Sequence, residues 1–438
     1  MNNQRSYQDA LNFIFSFVDF SLTHQEQIAP ERFELERMFL LLEKMDQPQL
    51  QFPAIHIAGT KGKGSVAAHC ASALVAAGCR TGLYTSPHLQ DFQERIQVDG
   101  EMISMEDFTE GVEVLKQVAL QLPGLTSYEL QTALAFWYFA QQQVGCAVVE
   151  VGMGGRLDST NVLTPLVSVI TNISYDHTAI LGDTLTEIAR EKGGIIKPGV
   201  PVVSAPQQAE ALEVLTGLAS QQESEFVLVG RDVQYEALSR SLEGQSFRIL
   251  RSGKPDLMSA TRMLGIHQVE NAVTAYAALQ FVDQAGLPVP DEAVLQGFSQ
   301  VQWPGRFEVF DGNPAVVFDG AHNRYSAQML VGAMQEYFPE KPIGLVFGAS
   351  EDKDIAGMFA ELLPNVSALL LVSADHPRAA RVEHLAELAS GYGCPVSMID
   401  RPEEFYSQAK KRVGTDGVIL VTGSLYVVGE LQRLWHQN

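Results

Sequence analysis

The stretch Gly59-Thr60-Lys61-Gly62-Lys63-Gly64-Ser65 constrains this chain more than any other. It follows the apolar run Ala54-Ile55-His56-Ile57-Ala58, which reads as a buried strand, and precedes an alanine-rich run over 65–77 that reads as a helix closed by Gly78. Strand, glycine loop and helix in that order make an anion site. Glycines let successive backbone N–H groups converge on a phosphate, the helix N-terminus adds partial positive charge, and a lysine, here Lys63, reaches the outer phosphates. The spacing is not the common Walker A one. With Lys63 as the Walker lysine the first glycine would fall at Ile57, and the residue after the lysine is Gly64, with the hydroxyl of Ser65 one place later. The reading is a variant P-loop that binds ATP or another nucleoside triphosphate.

An anion site matters more in a chain of this charge. Thirty Lys plus Arg stand against fifty-two Asp plus Glu, a formal net charge of −22. That balance argues against nucleic acid or an anionic membrane as partner, so an anionic substrate must be met by a few locally gathered cations. Cys70, Cys79, Cys146 and Cys394 form no C-x-x-C pair and read as buried thiols. Asn12, Ser16 and Asp19 interrupt the apolar positions over 11–22, as in an amphipathic helix and unlike a signal peptide, and no run approaches the roughly 18 apolar residues that span a bilayer. The expectation is a cytoplasmic monomer acting on small molecules.

The 438 residues are enough for two or three domains. Apolar, β-branched runs at 81–85, 147–151, 167–173 and 202–204 alternate with helical patterns at 105–120, 127–143 and 184–192, which predicts a largely parallel sheet. Within 225–250, the runs 226–229 and 246–250 read as antiparallel strands appended to it. A second series, 315–318, 343–347, 368–372 and 418–421, follows the helical stretch 291–300 and Trp303-Pro304-Gly305-Arg306. The fold class is therefore α/β: a P-loop-type domain with a mostly parallel sheet over 1–303, then a smaller α/β domain over 304–438.

Ligands of open parallel sheets lie beyond the carboxyl ends of the strands. Glu150 ends one such strand before Val151-Gly152-Met153-Gly154-Gly155-Arg156, and Asp176-His177 follow another. Both places are magnesium candidates, although magnesium prefers carboxylate, phosphate and water to imidazole. Glu150 paired with Arg156, and His177 capping a helix, are the structural alternatives. Ser86, in Thr85-Ser86-Pro87-His88, offers a hydroxyl; Lys192, in Arg190-Glu191-Lys192-Gly193-Gly194, reads on its own as a solvated charge at a helix C-terminus. Phe318-Asp319-Gly320-Ala321-His322-Asn323 and Val421-Thr422-Gly423-Ser424 repeat the strand-end device in the second domain. His376-Pro377-Arg378 has no role that the residues argue.

Together these segments resemble the folylpolyglutamate synthase and dihydrofolate synthase family, relatives of the Mur ligases. The resemblance runs in order from the Gly59 loop through Ser86-Pro87-His88, Tyr128-Glu129, 150–161, Asp176-His177, 190–194, His267-Gln268 with Asn271, Pro304-Gly305-Arg306-Phe307 and 319–323 to Thr422-Gly423-Ser424. Lys61 stands where bacterial members commonly have asparagine. The resemblance implies that Gly59, Thr60, Lys61, Gly62, Lys63, Gly64, Ser65, Asn271, Arg306 and Asp319 hold ATP, and that Ser86, Glu150 and His177 hold Mg2+. It places Tyr128, Glu129, Leu157, Asp158 and Ser159 against the pterin-bearing substrate, with a further contact near 25–35, and His322 and Ser424 against L-glutamate. Lys192 matches a lysine that is carbamylated in this family. Lys63, Lys192 and His322 would then serve the chemistry.

The implied reaction transfers the γ-phosphoryl of ATP to a carboxylate of folate or dihydropteroate, and the acyl phosphate accepts the amine of L-glutamate. Two other readings compete: a Mur-type ligase for a nucleotide-sugar peptide, and a P-loop NTPase that switches a partner. The loop's early position disfavours the first, since those ligases carry an additional N-terminal domain. A dependence of phosphate release on glutamate would exclude the second.

Overall fold

The computed structural model describes residues 2–19 and 34–437. Two units divide the chain, the first made of Met1–Leu238, Ser246–Arg262 and Gln268–Val301, the second of Ser239–Gln245, Met263–His267 and Gln302–Asn438.

The first unit is organised by an eight-stranded sheet. Its strands are β1 Ala54–Ala58, β2 Thr81–Tyr84, β3 Ile96–Val98, β4 Glu101–Met102, β5 Cys146–Glu150, β6 Val167–Ile170, β7 Val202–Ser204 and β8 Phe226–Leu228, in the spatial order β4-β3-β2-β5-β1-β6-β7-β8. β2, β5, β1, β6, β7 and β8 run parallel, and β3 and β4 close one edge as an antiparallel meander. Every residue of β1, β5 and β6 is buried, as the unbroken apolar runs require of strands covered on both faces. β1 lies between β5 and β6, so the turns that leave these three strands share one edge. One core cluster joins Phe108, Phe136 and Phe139 from the helices Met105–Ala119 and Ser127–Gln141; another joins Ile188 from Leu185–Gly193 to Leu215.

The expected antiparallel pair over 225–250 is corrected. β8 pairs parallel with β7, because the helix Ala209–Gln221, not read from the sequence, supplies the crossover between them. Residues 246–250 lie instead in a separate three-stranded sheet, β9 Gln234–Ser241, β10 Gly244–Leu250 and β11 Leu257–Thr261, in the order β11-β10-β9.

The second unit holds six strands: β12 Glu308–Phe310, β13 Ala315–Phe318, β14 Ile343–Phe347, β15 Ala368–Leu371, β16 Val396–Met398 and β17 Val418–Thr422. Their order is β12-β13-β17-β14-β15-β16, parallel except for β12. The two edge strands, β12 and β16, are absent from the sequence reading; each has three residues and none of them is buried. Of the cysteines, all free thiols, Cys70 and Cys146 are buried, whereas Cys79 and Cys394 are only partly so. Among the described residues no helix is long and apolar enough to cross a membrane.

Candidate active site

The glycine loop leaves β1 and turns into the helix Lys63–Ala76, which begins two residues earlier than its apolar pattern indicates. Its first half is tied down. The N–H groups of Thr60 and Lys61 both donate to the Asn172 carbonyl, at 2.8 and 3.3 Å. The Thr60 hydroxyl donates to Ser174 O at 3.0 Å and accepts from Ser174 N at 3.1 Å. Those two amides therefore do not face a phosphate. The groups left to meet an anion are in the second half, where the N–H groups of Lys63, Gly64 and Ser65 open the helix and have no helical partner one turn back.

Two of the glycines are required by their surroundings. Gly59 has φ +149, and a Cβ there would meet Thr171 Oγ1 at 1.9 Å. Gly62 has φ +90, and its Cβ would meet Asn271 Oδ1 at 2.4 Å. Asn271, 209 residues beyond Gly62 in sequence number, thus lies against the loop, its amide donating to Gln268 Oε1 at 2.9 Å.

Cations and carboxylates alternate around this turn. Lys63 Nζ lies 3.7 Å from Glu150 Oε1, and Glu150 Oε2 accepts from Ser86 N at 3.2 Å. Lys61 Nζ lies 3.1 Å from Asp176 Oδ2, while Asp176 Oδ1 accepts the N–H of His177 at 3.0 Å. His177 takes the left-handed conformation, φ 51, immediately before the helix Thr178–Leu181; its ring makes no capping hydrogen bond there. The proposed structural partner of Glu150 is corrected as well: Arg156 pairs with Glu191 at 2.9 Å.

Lys192 is not a solvated charge. It is 4 % exposed, and its ammonium donates to Gly59 O at 3.0 Å. Burial first, then the neighbouring charge of Lys63, lowers its pKa to about 7, with Asp176 opposing.

Among the described residues no cluster of three or more His, Cys, Asp or Glu could hold a metal unaided. Magnesium does not need one, since it keeps several waters and takes one or two carboxylates plus substrate phosphates. The buried Glu150 carboxylate, at the end of β5 and beside the phosphate-loop lysine, fits that chemistry.

Among the residues expected to meet the pterin-bearing substrate, Tyr128 packs under Gly152, where a Cβ would lie 2.4 Å from the phenol oxygen, and its ring is 6.3 Å from that of Tyr84. Burial, then Asp158, raises the Tyr128 pKa well above the ordinary value. Asp158 is buried at the start of the short helix Ser159–Val162; it accepts from Met153 N at 2.9 Å and Thr160 N at 3.0 Å. Ser159 is buried behind it and Leu157 partly exposed. Glu129 is already engaged: Oε2 accepts from Thr126 N at 2.7 Å and Thr126 Oγ1 at 2.8 Å, and Oε1 meets Arg37 Nε at 3.3 Å. The expected contact over 25–35 lies largely outside the described residues.

In the second unit the turns after the adjacent strands β13 and β17 come together. Gly423 N donates to Ala321 O at 3.0 Å, and Thr422 Oγ1 donates to the same carbonyl at 3.3 Å. Asp319 accepts from Phe307 N and Ala321 N at 2.8 and 2.9 Å, and so fixes the chain just after Arg306 and just before His322. A Cβ on Gly320 would meet Arg306 Nη1 at 2.4 Å. His322 Nδ1 is 2.8 Å from Gly320 O, and Ser424 caps the helix Leu425–His436 through Tyr426 N. His376-Pro377-Arg378 also gains a place. Arg378 pairs with Asp352 at 3.2 Å, both side chains largely buried, and the His376 ring stacks on Tyr426 at 4.0 Å.

Sequence reasoning missed the Lys61–Asp176 and Arg378–Asp352 pairs, and missed His56, a fully buried histidine in the middle of β1. The only available signal was that a polar side chain within an apolar run must find a partner.

Comparison with known proteins identifies the family. Residues 57–279 match the Mur ligase middle domain, and residues 305–425 the Mur ligase glutamate ligase domain. A dihydrofolate synthase/folylpolyglutamate synthase of Bacillus subtilis is 34 % identical, over 98 % of this chain and 99 % of its own length. The folylpolyglutamate synthase of Lacticaseibacillus casei is 33 % identical over 98 % of both. Among solved structures, the Mycobacterium tuberculosis folylpolyglutamate synthase complexed with ADP and AMPPCP superposes with a TM-score of 0.89 at 30 % identity, covering 100 % of this chain and 99 % of that one. With two domain models in order and full-length relatives above 30 % identity, this chain belongs to the folylpolyglutamate synthase and dihydrofolate synthase family of Mur ligases.

Proposed function

We propose that this protein is an ATP-dependent ligase that joins L-glutamate to a folate-type acceptor, a reduced folate, dihydropteroate or both, and releases ADP and phosphate. The observation that carries the reading is the turn after β1, where Lys63, a helix N-terminus and Asn271 converge beside Glu150.

The phosphates of ATP lie on the N–H groups of Lys63, Gly64 and Ser65, and the Lys63 ammonium exchanges its contact with Glu150 for the γ-phosphate. Glu150, Ser86 and His177 would hold magnesium, which neutralises phosphate charge during transfer. A carboxylate oxygen of the acceptor attacks the γ-phosphorus, the bond to the β-phosphate oxygen breaks, and Lys63 stabilises the charge that moves onto ADP. The neutral amine of glutamate then attacks the acyl carbon; phosphate leaves and the amide nitrogen loses a proton to solvent. In the second unit Arg306 and Asp319 are assigned to the nucleotide, and His322 and Ser424 to glutamate. Asn271 holds the nucleotide from the first unit, and Tyr128, Glu129, Leu157, Asp158 and Ser159 line the acceptor.

Lys192 is assigned a carbamate. Its neutral amine attacks carbon dioxide and sheds a proton, and with a pKa near 7 roughly half of the amine is neutral at that pH. Recovery of an inactive Lys192→Ala variant by short carboxylic acids supports this; no recovery, with an unmodified amine in a crystal grown with bicarbonate, overturns it.

The function is tested by ADP release with each acceptor, with and without glutamate, and mass detection of the product. Release that requires both, with the acceptor gaining one glutamyl residue, is expected. ATP hydrolysis indifferent to glutamate overturns the reading.

A further inference from the structure

His56 sits at the centre of the sheet, opposite Val149 of β5 and Ser168 of β6, and is fully buried. Its Nε2 lies 2.8 Å from Thr160 Oγ1, and Thr160 Oγ1 lies 2.5 Å from Asp158 Oδ1. All three side chains are buried, and the chain ends on the carboxylate assigned above to the acceptor.

The protons in this chain can be placed by counting. Burial raises the pKa of Asp158, and the bonds from Thr160 and Met153 oppose that rise by favouring the ionised form; an ionised carboxylate only accepts, so the single hydroxyl proton of Thr160 belongs to Asp158. The same hydroxyl must then accept from His56, which puts the imidazole proton on Nε2. The other ring nitrogen agrees, because Nδ1 is buried with no hydrogen-bond partner and a proton there would be stranded. The ring carries one proton only: burial, and then the charge of Lys197, lower its pKa to about 3. The Lys197 ammonium itself donates to Asn161 O at 2.8 Å.

We propose that His56 is a positioning residue for the folate-type acceptor, fixing Asp158 through the Thr160 hydroxyl. The inference rests on the reading that Asp158 lines the acceptor site. Asp158 Oδ2 is held by Met153 N, and Oδ1 by Thr160 N and Oγ1, so the His56 donor sets the direction of the hydroxyl that fixes Oδ1. Without that donor the Thr160 hydroxyl is free to turn, and the carboxylate keeps only the Met153 and Thr160 amides, with its Oδ1 less firmly held.

Two measurements test this on the intact enzyme. In 15N-histidine NMR, His56 should be protonated at Nε2, bare at Nδ1 and unchanged from about pH 5 to 9. A proton on Nδ1, or titration in that range, overturns the proposal. In steady-state kinetics Thr160→Val and His56→Leu should each raise the acceptor KM roughly fivefold to tenfold, with the KM for ATP within about twofold of wild type. His56→Gln, which keeps a donor, should recover part of the loss. An unchanged acceptor KM in Thr160→Val and His56→Leu, with Asp158→Asn raising it, sinks the role of His56 and spares that of Asp158. An unchanged value in Asp158→Asn as well removes Asp158 from the acceptor site, and the proposal with it. Should His56→Leu fail to fold, Thr160→Val and the spectrum decide.

Discussion

Lys63 is assigned to the phosphates of ATP, so its loss should leave the fold intact and abolish ligation. Lys63→Ala is expected to reduce kcat by at least about a thousandfold with unchanged thermal unfolding, because it removes charge made useful only as phosphate moves. Glu150→Gln keeps the shape and should raise the magnesium concentration needed for half-maximal rate; an unchanged titration would confine Glu150 to its contact with Lys63. Lys192 yields a stability test that is independent of activity. Its pKa falls from 10.5 to about 7 on folding, so between those values the unfolded chain holds a proton that the folded chain has shed. Stability relative to Lys192→Met should therefore rise as pH increases from about 7 to 10.5, in carbon-dioxide-free buffer. A flat difference between the two proteins would mean that the buried amine keeps an ordinary pKa. Lys63 was picked out by the glycine loop that carries it, and Glu150 by the strand pattern that ends on it. Lys61 and Asp176 were not legible as a pair, being 115 residues apart with nothing local to connect them.

Elements set which assignments survive. Glu129 closes a capping box on Thr126 at the start of the helix Ser127–Gln141 and meets Arg37, so it is first of all part of that helix. Glu129→Ala should destabilise the protein by about 2 kcal/mol in chemical denaturation, through a lost cap and a partly buried guanidinium left with Glu34 as its remaining carboxylate. Glu129→Gln, which can still accept from Thr126, should cost less. Wild-type stability of Glu129→Ala with a raised acceptor KM would return the residue to the substrate. Long covered strands were readable as apolar runs, and the glycine loop by composition. β12 and β16 were not, because a three-residue edge strand buries no face and leaves no period. β8 was misread since its direction depends on the helix before it and not on its own residues.

Across the molecule, an excess of twenty-two negative charges coexists with a turn where Lys61, Lys63 and Lys192 converge. Glu150 and Asp176 keep that convergence tolerable before phosphate arrives. The Mur ligase middle and glutamate ligase domains follow one another along the chain, so the order of motifs was visible where their spatial grouping was not. The bonds from Thr60 and Lys61 to Asn172, and between Thr60 and Ser174, bear on how nucleotide is greeted. A loop already moored at one end gives up little freedom when its other end grips a ligand. Calorimetry should thus find ATP association with only a small ordering penalty, the disorder having been surrendered during folding.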